Sequence, residues 1–87
     1  MQKKELVNGP FKSAYKKVGK LKGKEKEKAI IELNERMDMY EIAQDFSFYY
    51  PKLYTKEMLQ AIVNAKTNIE AANIMTTLRN RQGECLA

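Results

Sequence analysis

The chain has 87 residues, 44% hydrophobic and 31% charged, with one cysteine, no histidine and a net charge of +5. That length holds one domain with a modest core, and the composition excludes a disordered chain. The missing histidine removes histidine-based catalysis and the commonest metal ligand, and a lone cysteine excludes an internal disulfide.

The charge is unevenly spread. Residues 1–28 hold ten lysines against three glutamates, residues 29–50 hold five acids against Arg36, and residues 51–87 hold five bases against three acids. A basic front and an acidic middle can attract a polyanion to one end, or draw the two segments together within the fold. No apolar run approaches the roughly 20 residues needed to cross a bilayer, and the opening stretch lacks the apolar core of a secretory signal. The expected location is the cytoplasm.

Residues 1–9 read as a flexible N-terminal arm. Asn8-Gly9-Pro10 marks the approach to a first helix, since proline suits a helix's first turn. Phe11, Ala14, Tyr15, Val18 and Leu21 or Lys22 recur at the spacing of one helical face, with Lys12, Lys16, Lys17 and Lys20 on the other side. This predicts an amphipathic, basic helix over 10–22, weakened by Gly19 and closed by Gly23. Lys24-Glu25-Lys26-Glu27-Lys28 then reads as the solvated first turn of the next helix.

A second helix is predicted from 24 to 48, free of glycine and proline. Its first half offers Ala29, Ile30, Leu33, Met37 and Tyr40 to one side; its second half offers Met39, Ile42, Ala43 and Phe46. At about 100° per residue the second set points nearly opposite to the first. The helix must break near 38–40, or be covered on both sides by later elements or another subunit. Cover on both sides is the favoured reading.

Five of the eight aromatic residues, Phe46, Phe48, Tyr49, Tyr50 and Tyr54, fall within nine positions. Pro51 turns this stretch into a corner, because it lacks an N–H and restricts Tyr50. Phe46 and Leu53 are expected inside, and at least one of Phe48, Tyr49 and Tyr50 at a contact surface.

Thr55 is placed to cap a third helix whose stripe is Met58, Leu59, Ile62 and Val63. Thr67-Asn68-Ile69-Glu70 has capping-box spacing and predicts a fourth helix to about Gln82, with Gly83 as terminator and Ala71, Ile74, Met75 and Leu78 facing inward. Met58, Ile62, Ala65, Ile69 and Ala72 also satisfy one continuous face, so a single long helix stays open. Two helices turning near Lys66 are preferred. Residues 83–87 read as a loose tail carrying an inert Cys85. The fold class is all-α: one domain, a small bundle of three or four helices with a long second helix and a C-terminal αα-hairpin.

Three features can bind something. On the fourth helix Asn73, Thr76, Thr77 and Asn80 lie opposite the inward face, with Arg79 and Arg81 near its end. These side-chain types suit base edges and phosphates, and a capped helix after a short turn resembles a helix-turn-helix in outline. Lys66 stands where such a turn usually wants an apolar residue. Lys12, Lys16, Lys17 and Lys20, continued by Lys22, Lys24, Lys26 and Lys28, can hold phosphates in a salt-sensitive way. The third feature is the corner with the second stripe of helix two, where Met39, Ile42, Phe48, Tyr49 and Tyr50 resemble the centre of a protein interface.

The leading expectation is nucleic-acid (DNA) binding by a small dimeric regulatory protein. The alternative is a protein-binding adaptor or inhibitor that docks through the corner, with a homodimer as one form of it. Membrane docking ranks below both. Carboxylate pairs such as Glu32/Glu35 and Glu41/Asp45 read as solvated helix surface, and no glycine-rich phosphate loop exists. No catalytic residue, metal, cofactor or small-molecule substrate is expected.

Overall fold

The computed structural model describes the backbone of residues 3–86 and the side-chain surroundings of residues 5–84. Five helices follow one another: α1 (Lys3–Val7), α2 (Lys12–Gly19), α3 (Gly23–Tyr49), α4 (Lys56–Asn64) and α5 (Asn68–Leu86). The all-α class stands, with five helices among the described residues in place of three or four. The molecule measures 47 × 22 × 17 Å with a Cα radius of gyration of 13.7 Å. A compact domain of this length would have a radius of about 12 Å, so the bundle is elongated. The 27-residue α3, roughly 40 Å long, accounts for its long dimension.

Both chain ends differ from the sequence reading. Within the span 1–9 read as an arm, α1 forms over Lys3–Val7 and Leu6 is completely buried, residues 1 and 2 lying outside the described residues. The Leu6 carbonyl accepts the Gly9 and Phe11 N–H groups at 3.1 and 2.9 Å, which folds Asn8–Pro10 into a tight turn. A Cβ at Gly9 would come within 3.1 Å of the Glu5 carbonyl oxygen, so glycine fits this close approach. At the other end α5 passes through Gly83 and reaches Leu86, where a loose tail was expected. Glycine in a helix costs only about 1 kcal/mol, and Gln82, just before it, is tied to Tyr54. The side chain of Cys85 lies outside the described residues.

Between α2 and α3, Gly23 has a φ of +64°. The left-handed region suits glycine, and it reverses the chain so that α2 lies back along the first half of α3. Gly23 thus opens α3, where the sequence suggested the end of the preceding helix.

Two hydrophobic clusters sit on α3 rather than one. The N-terminal cluster joins Leu6, Phe11, Leu33 and Met37, with Val7, Ala14, Val18 and Val63 packed around it. The C-terminal cluster joins Ala43, Tyr54, Ile62, Ala65, Ala71, Met75 and Leu78. Tyr40 touches both. The unbroken α3 changes its buried face because α1 and α2 cover its first half and α4 and α5 cover its second. Intramolecular partners supply the two-sided cover that the sequence demanded. Ala43, Ala65 and Ala71 are small enough to let α3, α4 and α5 approach closely. Ile30, on the stripe expected to be buried, is 39% exposed, and Ile42, one of the interface candidates, is 48% exposed. Tyr15, at the edge of α2's apolar face, is likewise 53% exposed.

The corner divides by depth. Tyr54 is 2% exposed, stacks on Phe46 with 5.4 Å between centroids, and donates its hydroxyl proton to Gln82 Oε1 at 2.8 Å. It is the plug of the C-terminal cluster. The two predicted caps that follow are present. Thr55 Oγ1 accepts the Met58 N–H at 3.3 Å, and Thr67 Oγ1 accepts the Glu70 N–H at 3.2 Å. Glu70 returns a carboxylate oxygen to the Lys66 N–H at 3.0 Å, one residue earlier than the usual capping box. These bonds separate α4 from α5, which decides between two helices and one.

Candidate binding surfaces

Helix α2 carries its lysines outward. Lys12, Lys16 and Lys20, four residues apart, form one exposed row, while the likewise exposed Lys17 lines a cleft between α2 and α4. On α5, Asn73, Thr76, Thr77, Arg79, Asn80 and Arg81 are all exposed. The hydroxyl protons of Thr76 and Thr77 go back into their own helix, to the carbonyls of Ala72 and Asn73 at 2.9 and 3.0 Å. The start of α5 is occupied: Asn68 Nδ2 donates to Glu35 Oε2, and Glu70 holds the Lys66 N–H. In a helix-turn-helix the N-terminal residues of the second helix meet the bases, and here two carboxylates stand at that end. The α2 lysines belong to the helix packed on the first half of α3. The α5 side chains belong to the half built around the C-terminal cluster.

The interface candidates separate in the same way. Phe48 and Tyr49 are 82% and 78% exposed, and Ile42 stands out beside them on α3. Met39 and Tyr50 pack partly against the C-terminal cluster. Tyr49, Tyr50, Pro51, Lys52 and Leu53 together border a shallow hollow of about 280 Å³. The two free rings and this hollow form a knob beside a socket.

Viewed along its outer side, α3 has a feature that sequence reasoning missed. Lys24, Lys28, Ile31, Glu35, Asp38, Ile42, Asp45 and Tyr49 alternate in steps of four and three, and every one is exposed. That spacing keeps them on one face. Ile31 alone is 60% exposed. Three apolar residues in eight positions are too few for a coiled-coil seam, which needs apolar side chains at nearly every step. The signal was in the sequence, in the steps between Ile31, Ile42 and Tyr49, but Ile42 and Tyr49 group with the corner and Ile31 falls outside both predicted stripes.

A second unforeseen feature is a cleft of about 550 Å³ between α2, α3 and the end of α4. Lys17, Arg36 and Lys66 line it, together with the neutral Ser13, Gln60 and Asn64 and the apolar Ala14, Val18 and Val63. Arg36 is half-buried, and its Nη1 donates to the carbonyl of Ala65, which caps α4. Burial pushes the Arg36 guanidinium below its ordinary value, and Glu32 opposes that shift. On a helical wheel Arg36 falls between Leu33 and Ala43, a cation inside the buried stripe. That position was the available clue.

Among the described residues no group of three or more metal-ligating side chains gathers, and no helix is long and apolar enough to cross a membrane. Comparison with protein-family models, curated proteins and solved structures gives no match to this chain.

Proposed function

We propose that this protein is a non-catalytic docking module that binds another protein through the outer face of α3 and the knob of Phe48 and Tyr49. The observation that carries the reading is the near-complete exposure of two adjacent large rings in a chain this short. Small domains have little apolar surface to spare from the core, and exposed apolar patches mark contact sites. Aromatic anchors also dominate interface energetics. The partner's chemistry follows from the stripe. Over residues 31–49 Glu35, Asp38 and Asp45 are interspersed with Ile31, Ile42 and Tyr49, so the surface complementary to that part is an apolar groove with basic residues on its rim. A second copy in antiparallel register would set Glu35 against Asp38 at the centre but Lys28 against Asp45 and Ile31 against Ile42 on either side, so self-pairing is one outcome of the test.

The double substitution F48S/Y49S tests this. Exposed substitutions shift stability by only about 0.5 kcal/mol, so the melting temperature is expected to hold. Binding to a purified partner, found by photo-crosslinking from position 49 and checked against position 76, is expected to weaken by about thirtyfold or more. A fall in melting temperature beyond roughly 5 °C would show the rings to be packed inside, and the reading would fail. Sedimentation of the wild type as a dimer that F48S/Y49S dissociates would transfer the face to a second copy.

A second reading, nucleic-acid binding, is favoured by the exposed row of Lys12, Lys16 and Lys20. It predicts affinity that falls with salt, with a slope of log K against log salt about three smaller in magnitude after K12Q/K16Q/K20Q. No binding to DNA or RNA even at low salt would eliminate it. Recognition by α5 as the second helix of a helix-turn-helix, and a dimeric regulator built on it, belong to this reading and stand or fall with it.

A further inference from the structure

We infer that the cleft between α2 and α4 is a seat for a small phosphomonoester with an apolar body, of about mononucleotide size. It rests on residues apart from the docking face. Three cationic residues from three separate elements line it: Lys17 from α2, Arg36 from α3 and Lys66 from the turn between α4 and α5. No carboxylate lines it. Glu70 accepts the Lys66 backbone N–H, and Glu32 acts on Arg36 and offsets part of its charge without lining the cleft. Lys17 and Lys66 are exposed at the rim, and Arg36 lies deeper.

The charge of the lining selects among anions. Arg36 Nη1 is committed to the Ala65 carbonyl, which leaves the rest of the guanidinium for a ligand. Three cationic residues and no carboxylate in the lining favour a doubly charged phosphomonoester over a singly charged carboxylate, and charge-assisted bonds are about twice as strong as neutral ones. The cleft volume of about 550 Å³ falls within the range of small-ligand sites. Its wall of Ala14, Val18 and Val63 receives an apolar or aromatic body, and Ser13, Gln60 and Asn64 supply polar contacts to orient it. Because Arg36 caps α4 at the junction of the two clusters, an occupied cleft would also brace α2 against α4.

Two-dimensional ¹H–¹⁵N spectra of the whole chain test the proposal, with inorganic phosphate, adenosine monophosphate, adenosine and a short oligonucleotide lacking a terminal phosphate as probes. The nucleotide is expected to shift the amides of Lys17, Val18, Ala65 and Lys66 in a saturable way, phosphate to do so more weakly, and adenosine hardly at all. The variant K17Q/K66Q should weaken nucleotide binding by roughly tenfold or more with an unchanged melting curve; Arg36 is left intact because it holds α4. Three results would each overturn the proposal. The first is shifts spread evenly over Lys12, Lys16 and Lys20 and insensitive to K17Q/K66Q. The second is adenosine binding as tightly as its monophosphate. The third is response to the oligonucleotide alone, which would assign the cleft to a polynucleotide backbone.

Discussion

Replacing Phe11 by alanine is expected to cost about 3–5 kcal/mol and to unfold the molecule unevenly. Phe11 is completely buried and meets the edge of Tyr40 with 5.6 Å between ring centroids at 88°. Among the described residues the buried part of its cluster is Leu6, Phe11, Leu33 and Met37. Removing the ring takes away the largest member and leaves a cavity at the point where α1, α2 and α3 converge. The C-terminal cluster keeps all its buried side chains. Hydrogen exchange should therefore show α1 and α2 losing protection while α4 and α5 retain it, as separately opening units do. Uniform loss of protection over all five helices would mean that the two clusters melt as one.

Tyr54 anchors the other cluster, and its removal is expected to act on the whole fold. Tyr54→Ala would lose the stacked ring and the bond to Gln82, costing about 3–5 kcal/mol and abolishing a cooperative thermal transition. Tyr54→Phe keeps the ring and loses only the hydroxyl contact, at about 1 kcal/mol. The pair also separates by pH. Burial raises the phenol above its ordinary value; Arg79 opposes the rise and Tyr50 adds to it. With the folded value above the unfolded one, this group's contribution is complete below the unfolded value of about 10 and is lost as pH climbs toward the folded value. Wild-type stability in urea should decline more steeply above pH 10 than that of Tyr54→Phe. Equal slopes would refute the burial argument.

Much of the architecture was legible in the residues, because most of it is written in local codes. The α3 span, the Thr55 and Thr67 caps and the inward face of α5 all follow from spacing and capping chemistry. The depth of Tyr54 and the burial of Leu6 could not be read this way, since each depends on partners distant in the chain. Leu6 and Val7 are the two apolar residues of a five-residue helix, too short to show a period. Gly83 misled because a propensity of about 1 kcal/mol yields to tertiary contacts. Of the candidate surfaces, the exposed rings and the α2 lysines were in view from the start. The cleft was not, because Lys17, Arg36 and Lys66 are brought together only by folding.

The unbroken α3 also fixes a distance. Lys24 and Tyr49 lie near opposite ends of one rigid rod, roughly 38 Å apart at 1.5 Å per residue. Anything held at the lysine-rich end is thereby kept at a set span from anything held at the aromatic end, with no linker entropy to overcome. A tethered pair gains from high effective concentration only when the tether matches the gap between sites. Tyr40 packs against both clusters and Val63 of α4 reaches the N-terminal one, so this span is locked by packing along the rod as well as by the helix itself.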